Sequence, residues 1–114
     1  MFFTNSGLVY LTMVRGSKIN WDQLAIAARF DCKALAKLNN LSLRQLQRIF
    51  RRDFERAPQD WLNEQRILAA QQALRTGHPV KRVALDFGFK QSSHFCRQFK
   101  LYSKLTPSQY LSTC

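Results

Sequence analysis

Between Leu41 and Arg52 the chain places four arginines, Arg44, Arg48, Arg51 and Arg52, and no acid. Leu46, Ile49 and Phe50 fall at i, i+3 and i+4, so on a helix they share one side and turn Arg44, Gln45, Gln47, Arg48, Arg51 and Arg52 to the other. A solvated helix face normally mixes both signs of charge, whereas this one is wholly cationic or amide-bearing. Such side chains suit base edges and phosphates, since arginine grips guanine with two parallel donors and glutamine can do the same to adenine. After Asp86 a second acid-free stretch carries Lys90, Arg97, Lys100 and Lys104.

The two stretches are copies. Leu46, Phe50, Pro58 and Trp61-Leu62 return as Phe95, Phe99, Pro107 and Tyr110-Leu111, each 49 positions later, and Arg48 and Arg51 return as Arg97 and Lys100. A repeated helical unit with basic residues in register describes two versions of one nucleic-acid-reading device.

The elements that must carry these residues are short helices separated by explicit stop signals. Asn20 with Gln23 is a capping box for a helix to about Arg29. Asp31 caps the next, with Leu35, Ala36 and Leu38 as its buried stripe and Asn39-Asn40 as its breaker. Ser42 with Gln45 opens the first basic helix, about 43–54. A long helix from Pro58 to Thr76, closed by Gly77 and Pro79, has apolar residues Trp61, Leu62, Ile67, Leu68, Ala70 and Leu74 on more than one stripe. It reads as a strut of roughly 25 to 28 Å. Val80, Val83, Ala84 and Phe87 then form the inward side of a short helix, Gly88 a turn, Phe89 a plug, and Ser92-Ser93 the start of the second basic helix, about 92–101. Thr106-Pro107-Ser108-Gln109 opens a terminal helix.

The fold class is therefore all-α, about seven helices forming two helix-turn-helix subdomains on one linker helix. Its divisions are residues 1–19, an N-terminal arm or an overlong start with Met13 as an alternative initiator; 20–57, the first unit; 58–76, the linker; and 77–114, the second unit. The alternative use of the arm is packing or dimerisation.

A chain of 114 residues has room for one compact domain or two very small ones and for no large catalytic cavity. Its net charge is +11, from 18 basic and 7 acidic residues, which makes a polyanion the default partner. Four of those acids, Asp53, Glu55, Asp60 and Glu64, lie between the two basic stretches. Cys32, Cys96 and Cys114 form an odd set without a C-x-x-C spacing, so no disulfide framework or zinc site is indicated, and a reduced, cytoplasmic setting is expected. The apolar opening is broken by Thr4-Asn5-Ser6-Gly7 and is too short to span a bilayer, so no membrane partner is expected. No nucleophile with a base, carboxylate pair, metal cluster or phosphate loop stands out. The expectation is a binding protein with no catalytic residues, metal or cofactor. Trp21, Trp61 and the nine phenylalanines read as core. His94 reads as a surface residue, His78 as a loop residue, and Cys96 as a neighbour of Arg97 whose oxidation could block DNA.

From Leu35 to Leu111 the chain resembles the DNA-binding domain of the AraC/XylS family of bacterial transcription regulators. The likeness rests on Leu46-Gln47-Arg48-Ile49-Phe50, on Arg66 with Ala70, on Val83-Ala84 with Phe87-Gly88-Phe89, on Phe99-Lys100 and on Thr106 to Tyr110. It implies two recognition helices in successive major grooves of double-stranded DNA, about 34 Å apart. Carried over residue by residue, Arg44, Gln47, Arg48, Ser92, Ser93, Cys96 and Arg97 are the expected base contacts. Ser42, Arg51, Arg52, Lys90, Gln91 and Lys100 are the expected phosphate contacts. Because the units differ, a monomer is expected to read an asymmetric site and to touch RNA polymerase there, unless a missing domain or the arm dimerises it. Glu55, Lys104 and Asn40 stand where the family has glycine, and Leu111 where an arginine is common. Two other functions fit the same residues: a plasmid or phage DNA-binding accessory factor, and a protein-interaction module on the same fold.

Overall fold

The computed structural model describes residues 2–4, 7–9, 11–14 and 16–113. Four short strands come first: β1 (Phe2–Thr4), β2 (Gly7–Val9), β3 (Leu11–Val14) and β4 (Ser17–Asn20). Seven helices follow among the described residues: α1 (Trp21–Ala27), α2 (Cys32–Leu38), α3 (Leu43–Phe54), α4 (Pro58–Arg75), α5 (Val80–Asp86), α6 (Ser92–Ser103) and α7 (Pro107–Ser112). The chain divides into two compact units, Met1–Gln65 and Arg66–Cys114, with the boundary inside α4.

The stretch read as an arm carries two antiparallel hairpins, β1 with β2 and β3 with β4. In the second, Leu11 pairs with Asn20 and Thr12 with Ile19, while Gly16, at φ +78, supplies the left-handed position that the tight loop needs. Asn20 ends β4 and also caps α1, accepting from the backbone N–H of Asp22 at 3.1 Å and of Gln23 at 3.4 Å. The cap is made by the Asn20 side chain; the return bond expected from Gln23 is not among its contacts.

Helix boundaries follow from the way each end disposes of its unpaired carbonyls. α1 stops at Ala27, two residues short of the expected end, because Arg29 and Phe30 turn left-handed (φ 53 and 58) and the Phe30 N–H closes back on Ala25 O at 2.9 Å. That turn carries Phe30 into the core. The turns inside the two helix-turn-helix units use the same closure. Leu41 N–H bonds Ala36 O and Phe89 N–H bonds Ala84 O, both at 2.9 Å, with Asn40 (φ 54) and Gly88 (φ 85) as the left-handed residues. The turn spans residues 39–42 in the first unit and 87–91 in the second, so the second is one residue longer.

Each unit is filled by aromatic rings. In the first, Phe50 contacts Trp21 at 5.1 Å between centroids, Phe54 at 5.1 Å and Trp61 at 5.4 Å, around fully buried Leu35, Leu46 and Leu62. In the second, Phe99 contacts Phe95 at 5.6 Å and Tyr110 at 5.5 Å, over Ile67, Ala70, Leu74, Val83 and Ala84. The Phe50–Trp61 pair thus returns as Phe99–Tyr110. Leu38 and Leu68, expected inside, are 52% and 43% exposed, because the last residue of α2 overhangs its turn and Leu68 follows the buried Ile67 onto the next face. Ile49 is half-buried.

Glu55 and Lys104, each just past a basic helix, adopt the left-handed conformation that glycine takes most cheaply, with φ 56 and 67. They differ in charge. A carboxylate at a helix C-terminus opposes the dipole, whereas the Lys104 ammonium reaches the Leu101 carbonyl at 3.5 Å. Glu55→Gly is therefore expected to raise stability by about 1 kcal/mol. Lys104→Gly should gain less, read as urea midpoints at unchanged m-value.

Candidate nucleic-acid interface

α3 begins with a reciprocal cap: Ser42 N–H donates to Gln45 Oε1 at 2.8 Å, and Gln45 N–H to Ser42 Oγ at 3.1 Å. This withdraws the Gln45 side chain from the outer face. Burial of Leu46, Phe50 and Phe54 then fixes the rotation of the helix about its axis. Arg44, Gln47, Arg48 and Arg51 are exposed and spaced i, i+3, i+4, i+7, so they form one stripe. Arg52 lies one turn beyond Arg48 on the same exposed side.

On α6 burial of Phe95 and Phe99 does the same work. Ser93, Cys96, Arg97 and Lys100 form the matching stripe 49 positions on; Cys96 is half-buried and the other three are exposed. Ser92 opens the helix, and Lys90 and Gln91 are exposed in the turn before it. Gln91 occupies the N-cap position without a side-chain bond, unlike Ser42. Leu101, 59% exposed, stands where the first unit has Arg52. All the residues expected to meet DNA in a given unit thus lie on its basic helix or the turn before it. Thr106 and Gln109 repeat the reciprocal cap at α7, with bonds of 2.9 and 3.2 Å.

Acids are drawn away from both stripes. Among the described residues, ion pairs join Arg52 to Asp53, Arg56 to Asp60 and Glu64, and Arg82 to Asp86. None involves Arg44, Arg48, Arg51, Arg97, Lys90 or Lys100, so these keep their positive potential. Arg52 is different: Nε–H donates to Asp53 Oδ1 at 2.7 Å and Nη2–H to Oδ2 at 3.2 Å. The hydrogen bond from Arg52 holds the Asp53 carboxyl below the usual carboxylate range; burial opposes this, and a bond from the Thr12 hydroxyl reinforces it.

Sequence reading passed over two contacts behind the second stripe. The Arg66 guanidinium lies over the Phe89 ring at 5.3 Å, and His94 meets the same ring edge-on at 5.4 Å, which ties α4, the turn and α6 together. Only the Arg66 and Phe89 motif positions hinted at it. Burial, with nearby Asp31 adding to it, pushes the Cys32 thiol up, so it is a protonated core side chain. Among the described residues no three His, Cys, Asp or Glu side chains converge to hold a metal, and no helix is long and apolar enough to cross a membrane.

Two short helices, a closed turn and a basic second helix, occurring twice, define a tandem helix-turn-helix protein. A family model described as a helix-turn-helix domain matches residues 35–113. The chain is 31% identical over 93 residues to the regulatory protein SoxS of Escherichia coli K12, covering 81% of this chain and 87% of that one. It is 35% identical over 77 residues to an uncharacterized HTH-type transcriptional regulator of Haemophilus influenzae, covering 67% of this chain but 26% of the relative's length. An AraC-type transcriptional regulator of Chromobacterium violaceum superposes with a TM-score of 0.69 over 79% of this chain and 88% of its own, at 22% identity. The chain belongs to the AraC-type helix-turn-helix family of transcriptional regulators and carries that family's DNA-binding domain.

Because the folded state favours the ionised form of Asp53 and so lowers the pH at which it titrates, that group adds stability above its unfolded titration range and loses it as pH falls through the lower, folded value. Urea unfolding is therefore expected to show no contribution from Asp53 to pH dependence between about pH 7 and 5, and a loss below about pH 4. Asp53→Asn should flatten that acid limb.

Proposed function

We propose that this chain is a sequence-specific double-stranded DNA-binding regulator of transcription that places α3 and α6 in successive major grooves of an asymmetric site. The single observation that carries this is the pair of matching outer stripes, Arg44-Gln47-Arg48-Arg51 and Ser93-Cys96-Arg97-Lys100, exposed but for the half-buried Cys96, each rotated outward by a buried aromatic core and kept free of acids. Arg44, Gln47, Arg48, Ser92, Ser93, Cys96 and Arg97 meet base edges. Ser42, Arg51, Arg52, Lys90, Gln91 and Lys100 meet phosphates, by charge, hydroxyl or backbone N–H.

The two readers are unequal. Arg44, Gln47 and Arg48 form two-pronged contacts, each worth roughly 1 to 3 kcal/mol of discrimination, whereas Ser93 and Cys96 offer shorter and weaker ones. The first unit supplies most of the specificity, and the second adds affinity through Arg97 and the backbone. The chain binds as a monomer and regulates by contact with RNA polymerase at the promoter.

Duplexes selected from a random pool provide the sites for the test. Arg48→Ala is expected to lower discrimination between the best site and its first-half variants by about tenfold to a hundredfold. Arg97→Ala should mainly weaken binding to all sites, and Arg51→Ala should reduce the slope of log affinity against log salt by about 0.9. A larger loss of discrimination from the Arg97 change would reverse the order of the two units. Salt-insensitive binding would overturn the reading altogether.

A further inference from the structure

The two basic helices differ in how their first turn is held. In the first unit the N-cap Ser42 and the residue three further on, Gln45, bond reciprocally. Their counterparts 49 positions later are Gln91 and His94, and the Gln91 side chain makes no cap bond. His94 is engaged with the residue two before the cap: its ring meets Phe89 edge-on, with centroids 5.4 Å apart and planes at 80°. The first unit has an aliphatic residue there, Leu41, whose N–H closes on Ala36 O as that of Phe89 closes on Ala84 O. Where the first unit uses a hydroxyl and an amide, the second therefore uses two rings.

Phe89 is a fixed anchor. It is buried, its backbone is bonded to α5 by that 2.9 Å closure, the Arg66 guanidinium of α4 lies over its ring at 5.3 Å, and Phe95 packs on it at 5.2 Å. His94 and Phe95 are consecutive, so they point about 100° apart around the axis of α6 at 3.6 residues per turn. One contact would leave the start of the helix free to pivot, whereas two contacts in different directions on one ring define its angle. An edge-on aromatic pair is attractive beyond the area it buries. A contact between a residue ahead of the cap and the first turn fixes the direction in which the chain enters a helix. His94 is itself exposed, next to Ser93 and three residues before Arg97, so a tilt of that first turn carries both of them with it.

We propose that His94 is a positioning residue of the second unit: braced edge-on against Phe89, it does for α6 what the Ser42–Gln45 cap does for α3, and so sets the angle at which Ser93 and Arg97 meet DNA. This rests on the reading of α6 as a DNA-contacting helix in the preceding section. The role needs a ring at position 94 and no ring nitrogen. Phenylalanine supplies the ring, alanine removes it, and glutamine can replace it only where residue 91 offers a hydroxyl, as Ser42 does.

The test measures affinity of the full chain for a selected duplex and its first-half variants at fixed salt, with folding checked by circular dichroism at the same temperature. His94→Ala is expected to weaken binding about twofold to tenfold, to leave first-half discrimination unchanged, and to cost less in an Arg97→Ala background, while His94→Phe keeps most of the affinity. In a Gln91→Ser background His94→Gln completes the cap and is expected to cost less than the same change with Gln91 in place. A His94→Phe chain as weak as His94→Ala assigns His94 a direct contact through its nitrogens and overturns the positioning role. So does a His94→Ala loss that is equal with and without Arg97, or absent while Arg97→Ala alone weakens binding, and so does a His94→Gln loss that Gln91→Ser leaves unchanged. An Arg97→Ala chain that binds as tightly as the unchanged one overturns the reading of Arg97 as a DNA contact, and the proposal with it.

Discussion

Phe50 is the residue on which the orientation of the first basic stripe depends. Helices of seven residues, such as α1 and α2, are not stable alone. α1 persists because Phe50 presents its ring to Trp21, Phe54 and Trp61 at once, joining α1, α3 and α4 around one point, and α2 packs against α1 and α3. That packing also sets the rotation of α3. With Leu46, Phe50 and Phe54 inside, Arg44, Gln47, Arg48 and Arg51 have no other direction to face. Phe99 holds the equivalent position in the second unit with two partners, Phe95 and Tyr110. The direction in which each basic stripe faces is thus a by-product of ring packing, and its chemistry is left to residues that packing does not constrain.

Charge is organised by the same separation. The acids between the two basic stretches are mostly occupied: Asp53 by Arg52, and Asp60 with Glu64 by Arg56. Exposed pairs of this kind add little to stability. Their effect is on the field, because each compensates a cation outside the stripes or, in the case of Arg52, orients one at the edge. The cations of the two stripes are therefore left uncompensated by these pairs.

The helices were legible because their signals are local. Ser42 with Gln45 and Thr106 with Gln109 each place a hydroxyl and an amide three residues apart, and both caps form as written. The tandem helix-turn-helix fold follows from those caps, the apolar spacing and the offset of 49. The hairpin β3–β4 was not legible, since the Thr12 hydroxyl that it buries takes its hydrogen bond from a tryptophan nine residues away. That partner does not lie at a spacing that a period of two or 3.6 would reveal. The left-handed states of Glu55 and Lys104 were hidden for a related cause: their side chains argue against that conformation, and the closing of the helix ends imposes it. On the outer faces, spacing identified the stripes, while the use of Gln45 as a cap and of Asp53 as a clamp depends on contacts between particular atoms.

The extra residue in the second turn gives the repeat a mixed phase. α2 ends at Leu38 and α5 at Asp86, 48 positions apart, whereas α3 and α6 begin at Leu43 and Ser92 and end at Phe54 and Ser103, 49 apart at both ends. Each basic helix also starts from an extended residue and stops at a left-handed one. The two twelve-residue basic helices therefore match in length and in the backbone state that flanks each end, whereas the units that contain them differ in the length of the turn. The exposed stripe of one helix can therefore be rewritten with the ring core of its unit left untouched.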